Sequence, residues 1–88
     1  MDLDAVLTRN PDAAYRVYDG EATVVLPEEG EVNVLNEIGS TVWDLIDGRR
    51  SLREIVEAIV ARYQVGRERA ERDVLEFAAS LRARRMVS

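Results

Sequence analysis

Residues 31–48, EVNVLNEIGSTVWDLIDG, pass from one hydrophobic period to another within a single short stretch. Val32 and Val34 alternate with Asn33 and Leu35, the two-residue period of a strand with unlike faces. From Ile38 the apolar residues recur at helical spacing through Val42, Leu45 and Ile46, with Trp43 beside them. Asn36 stands at the junction, where a short polar side chain can accept from a free amide of the first turn. Gly48 offers the left-handed residue that commonly follows a helix. A strand that runs directly into a capped helix is therefore expected. The stretch has no histidine, cysteine or lysine, so it reads as architecture rather than chemistry.

Working outward, YRVYDGEATVVL (residues 15–26) predicts a hairpin turned at Asp19-Gly20, and PEEGE (residues 27–31) predicts a second turn. With residues 31–35 this makes three short antiparallel strands. Downstream, Ser51 and Glu54 have capping-box spacing. Leu52, Ile55, Val56, Ile59, Val60 and Tyr63 form the apolar stripe of a second helix. Ala70, Val74, Phe77, Ala78 and Leu81 form that of a third, which ends near Arg84. Met86-Val87 is expected to fold back on the core. The fold class is α+β: a three-stranded antiparallel sheet followed by three helices on one face, in the manner of a small winged helix-turn-helix. Residues 1–14, with Asn10-Pro11-Asp12, are expected as a flexible N-terminal lead-in and residues 15–88 as one domain.

Composition removes several function classes. The chain has 88 residues, and a chain of that length buries only about 60% of the surface its unfolded form exposes, so the core is thin. With no cysteine and no histidine, disulfides, thiolate metal sites and the usual general base are excluded. No lysine is present to replace them, and acids such as Asp44, Asp47, Glu54, Glu57, Asp73 and Glu76 read as a solvated face. No enzymatic activity, metal or cofactor is expected. No apolar run approaches the ~20 residues of a membrane span, and the acidic start is unlike a signal peptide. The expectation is a soluble, cytoplasmic protein with no membrane partner. Net charge is −5, unevenly placed. Residues 1–48 hold eleven acids and two arginines, whereas residues 49–88 hold ten arginines and six acids. The arginines of the third helix alternate with Glu68, Glu71, Asp73 and Glu76. These acids would repel phosphates and form pairs such as Glu68–Arg72, which argues against nucleic acid. A small winged-helix DNA-binding or regulatory protein is the alternative reading.

Two features suit a peptide partner. Residues 31–35 are short, alternating and placed to be an edge strand, whose free backbone can accept another strand. On the third helix, at about 100° per residue, Leu75 and Ala79 fall beside the main stripe. A groove between strand and helix would have an apolar floor and charged rims.

The ordered pattern resembles the PqqD-like family, the RiPP recognition elements, which bind leaders of ribosomally made, post-translationally modified peptides. Leu35-Asn36, Gly39, Val42-Trp43, Leu45-Ile46 and Asp47-Gly48 carry the resemblance. It continues through Leu52, Ile55-Val56, Tyr63, Val65, Asp73-Val74, Phe77, Leu81 and Met86-Val87, and spans residues 15–88. Two positions depart from the pattern. Gly66 stands where a capping Ser or Asp is usual, and Arg85 where Gly often precedes the last apolar pair. The resemblance implies a non-catalytic adaptor that binds a leader peptide as an added strand. It would present the precursor to a modifying enzyme of radical-SAM, protease/cyclase or cyclodehydratase type. The residues implied in peptide binding are Glu31, Val32, Asn33, Val34 and Leu35 of the strand. On the helix they are Glu71, Val74, Leu75, Ala78, Ala79 and Arg82. Which parity of the strand faces the groove stays open at this level.

Overall fold

A computed structural model describes residues 1–26 and 30–88, with Glu31 described by its backbone alone. The chain runs β1 (Ala14–Tyr18), β2 (Glu21–Leu26), β3 (Glu31–Leu35), α1 (Glu37–Leu45), α2 (Leu52–Tyr63) and α3 (Arg67–Ala83). The strands form one antiparallel sheet in the order β1-β2-β3, so β3 is an edge. This is the expected α+β succession. Asp19 and Gly20 both take positive φ, 52° and 77°, which is the mirror-image turn whose twist matches a two-residue hairpin. Of the second expected turn, residues 27–29 lie outside the described residues.

The sheet has a dry face and a wet one. Ala22, Val24 and Leu26 of β2 are buried, and Leu35, which pairs with Ala22, is only 7% exposed. Val32 and Val34 are 65% and 66% exposed on the other face. The open parity is thereby settled for the sheet: Asn33 and Leu35 point inward with the helices, and the two valines point to solvent.

One buried hydroxyl joins sheet to helix. Ser40 of α1 accepts from the backbone N–H of Ala22 at 2.6 Å and donates to the carbonyl of Leu35 at 3.1 Å. It therefore stands between two strands and satisfies a group on each.

The helices start as expected and stop slightly differently. Asn36 Oδ1 accepts from Gly39 N at 2.8 Å. Ser51 and Glu54 complete a reciprocal capping box. Helix α1 ends at Leu45, with Ile46 already extended, and Gly48 (φ 78°) turns the loop beyond instead of closing the helix. Gly66 gives α3 no side-chain cap. Arg85 adopts the left-handed backbone itself, φ 61°, at a position where a glycine would be free of strain. Hydrogen bonds hold that turn: Asn10 Nδ2 donates to the Arg85 carbonyl at 2.8 Å, and Met86 N to the Leu81 carbonyl at 2.9 Å. Met86 and Val87 are buried, and Trp43, Ile46, Leu52, Ile55 and Ile59 fill the centre.

The first residues differ from the loose lead-in expected. Leu52 N and Arg53 N donate to the carbonyls of Ala5 and Leu3, at 2.9 and 2.8 Å. Thr8 and Ser88 exchange two backbone bonds of 3.0 Å each. Leu7 is buried, with Leu3 and Ala5 half-buried against the same core. The alternation Leu3, Ala5, Leu7 is a strand-like signal, masked in sequence by the acids interleaved with it. A thin core gains from any extra apolar strip laid on it. Farther along, Arg9 lies over Tyr15 and donates to its hydroxyl, while Tyr15 meets Trp43 edge-on at 5.7 Å.

Ser40→Ala removes the bridge and leaves the buried Ala22 N–H without its acceptor. A loss of about 1–3 kcal/mol is expected, measured as a lower urea midpoint with an unchanged slope.

Candidate functional site

The free edge of β3 is where the backbone remains unused. The Ser40 hydroxyl occupies the place where Ala22 and Leu35 would close their own ladder bond. Bonded pairs alternate along an antiparallel ladder, so Val24 and Asn33 bond each other. Val32 and Val34 then turn their N–H and C=O outward, away from β2.

Helix α3 runs past this edge without closing on it, because it packs on α2. Between them is a cleft of about 720 Å³. Val34 and Leu35 form the strand wall, with Asn36 at its end. Ile38, Gly39 and Val42 of α1 and Ile59 of α2 lie beneath, with Val65 from the following link. Ala70, Val74 and Phe77 of α3 form the opposite wall, rimmed by Arg69, Asp73 and Glu76. Gly39 is needed where α1 meets α3: a β-carbon there would lie 3.3 Å from Phe77 Cζ and 3.1 Å from the capping Asn36 Oδ1.

Charge around the cleft is arranged in local pairs. Arg69 Nε lies 3.6 Å from Asp73 and Arg72 Nε 3.9 Å from it, in place of the expected Glu68–Arg72 pair. Arg67 grips Glu57 of α2 with both ends of its guanidinium, Nη2 to Oε2 at 2.9 Å, and so fixes the start of the uncapped α3. The Arg67 hydrogen bonds hold the Glu57 carboxyl below its usual range and push Arg67 up. Asp47 is likewise held low, by the backbone N–H groups of Arg50 and Arg49. Farther along α3, outside the cleft lining, Arg84 reaches across to donate to Asn33 Oδ1. Among the described residues, no group of three acidic side chains converges as a metal site, and no helix is long and apolar enough to cross a membrane.

The expected site residues divide. Val34, Leu35 and Val74 line the cleft. Asn33 and Val32 are on the same strand outside that lining, while the side chain of Glu31 is outside the described residues. Ala78 is fully buried in the core. Glu71, Leu75, Ala79 and Arg82 lie on the flank of α3 turned away from β3, with Arg82 in a separate hollow beside Asn10, Pro11 and Arg85. Phe77, Asp73 and Arg84 occupy the strand-facing flank instead. A helix stripe has two flanks of equal standing in sequence, and only the packing of α3 on α2 selects one.

These features define a three-strand, three-helix α+β domain with a cleft between its last strand and last helix. The chain belongs to the PqqD family: the family described as "Coenzyme PQQ synthesis protein D (PqqD)" matches residues 21–87. Among solved structures, TbiB1 in complex with the TbiA(beta) leader peptide is 27% identical to this chain. That match covers 92% of this chain and 94% of that one, with a TM-score of 0.84. A lasso peptide synthetase B1 complexed with the leader peptide is 21% identical and shares the fold, with a TM-score of 0.84 over 96% of this chain and 99% of that one. Comparison with curated protein sequences finds no match.

The Glu57–Arg67 tie gives a pH dependence of definite sign. A carboxyl whose pKa is lowered by folding stabilises the fold above its unfolded value, about 4.5, and that contribution is lost as pH falls through the folded value. The urea midpoint of Glu57→Gln should therefore lie slightly below wild type at neutral pH and converge with it as pH falls through the lowered folded value. Because both groups are exposed, the gap should shrink in high salt.

Proposed function

We propose that this chain is a RiPP recognition element, a non-catalytic adaptor that captures the leader of a ribosomally made precursor peptide. One observation carries the reading: β3 presents free backbone groups to an apolar cleft, in a family member that aligns end to end with a leader-bound relative. An extended peptide adds to β3 by main-chain hydrogen bonds with Val32 and Val34. Its inward side chains enter the hollow between Leu35, Ile38, Val74 and Phe77. Affinity then comes from backbone bonds and specificity from the hollow.

The adaptor itself does no chemistry in this reading, and its sequence lacks histidine, cysteine and lysine. Its contribution is effective concentration. A leader held here keeps the rest of the precursor near a modifying enzyme of radical-SAM, protease/cyclase or cyclodehydratase type, so modification becomes locally intramolecular. A duplex-binding role is poorly served, because the net charge is −5 and Arg69 and Arg72 of α3 share Asp73.

Binding of a fluorescein-labelled leader from a precursor encoded beside the gene tests the reading by anisotropy. Val34→Pro removes an N–H that faces the free edge, where proline leaves the β2–β3 ladder intact. It should weaken binding at least ten-fold with unchanged helical circular dichroism; unchanged affinity would sink strand addition. Leu75→Glu sits on the far flank of α3 and should leave affinity within two-fold of wild type. A ten-fold loss there, without loss of stability, would move the site to the other side of the helix.

A further inference from the structure

The apolar cleft is rimmed by Arg69, Asp73 and Glu76. Beyond its lining, Arg84, the residue that closes α3, bonds Asn33 on the inner face of β3. The Arg84 guanidinium has no carboxylate partner among the described residues. It donates instead to a neutral amide oxygen. The amide's other end is the anomaly: Asn33 Nδ2 is buried and, among the described residues, meets no acceptor. Leaving such a donor unpaired is costly, so the arrangement is incomplete as it stands.

A carboxylate is the stronger partner for Arg84. An ionised acid offers about four acceptor sites, and its bond to a guanidinium is about twice as strong as one from a neutral acceptor. The terminal torsion of asparagine is broad and two-fold; turning the amide over gives up the Oδ1 bond from Arg84, which a carboxylate replaces, and exchanges an unpaired buried Nδ2 for an unpaired buried Oδ1. Turned over, it offers a second donor beside the guanidinium.

We propose that Arg84 and Asn33 form an acid-recognising subsite: the peptide added to β3 carries an Asp or Glu whose carboxylate displaces Asn33 Oδ1 from Arg84 and accepts from the turned Asn33 Nδ2. This deepens the peptide-capture reading and rests on it. Position follows from the strand. Asn33 and Leu35 are two residues apart on one face, and a strand rises about 3.3 Å per residue. The acid therefore lies about two residues from the bulky apolar side chain that fills the hollow.

The test uses a display library of randomised twelve-residue peptides, selected separately on wild type, Arg84→Glu, Arg84→Gln and Asn33→Asp. Arg84 is exposed outside the core, so its variants should melt as wild type does. Wild type should enrich an Asp or Glu at fixed spacing from a large apolar residue. Arg84→Glu should exchange that acid for Arg or Lys, and Arg84→Gln should lose the preference. Asn33→Asp supplies the carboxylate internally and should also lose it. For one enriched peptide, changing its acid to the amide should weaken wild-type binding about five- to ten-fold and leave Arg84→Gln binding unchanged. Selection of the same acid by Arg84→Glu, or enrichment with no acid, overturns the subsite while peptide capture stands. No enriched peptide on wild type overturns capture and subsite together.

Discussion

The buried hydroxyl of Ser40 sits between Ala22 N and the Leu35 carbonyl, and the edge strand's relation to the rest of the molecule depends on that placement. Ala22 and Leu35 remain register partners here, with a side chain from α1 bonded to both. Because the hydroxyl both accepts and donates, neither strand is left with an unmet polar group in the core. Without it the Ala22 N–H would lack its acceptor and α1 would lose its polar link to the sheet. A hydroxyl is suited to this place: it is small enough to be buried and can bond in both directions.

The cleft exists because two neighbouring elements satisfy themselves elsewhere. Helix α3 buries its stripe on α2, and Glu57–Arg67 ties its start to that partner. Strand β3 spends half of its backbone groups on β2 and leaves the other half at an edge. An exposed edge is a hazard for association with other chains, and one recessed beside a helix admits a single extended segment more readily than another sheet. The apolar floor under it comes from α1 and the Ile59–Val65 region, so the cleft is an unfilled part of the core more than a surface feature. The N-terminal strip of Leu3, Ala5 and Leu7 adds to the core.

Local rules account for much of what was legible. The strand-to-helix passage of residues 31–48, the Asn36 cap, the Ser51–Glu54 capping box and the Asp19-Gly20 turn are short-range effects, and each stands where its residues indicate. The departure at Gly66 shows as a helix start with no side-chain cap, and the one at Arg85 as a left-handed turn taken without glycine. Residues 1–14 read as loose because their polar residues and Asn10-Pro11-Asp12 dominate, whereas their backbone bonds go to Leu52, Arg53, Met86 and Ser88, distant in sequence.

The amino-acid sequence by itself determined the elements, their order, the apolar stripe of each helix and the unlike faces of β3, because each rests on periodicity or on contacts within a few residues. It also determined the family, since the spacing of Leu35-Asn36, Trp43, Asp47-Gly48 and their successors is a one-dimensional property. Only the tertiary structure decided which face of β3 is inward, and which flank of α3 looks at it. Those choices placed Phe77, Asp73 and Arg84 beside the strand and turned Leu75, Ala79 and Arg82 away. The physical reason is that a stripe and an alternation each have a mirror choice of equal local energy. Burial against a particular neighbour breaks the tie.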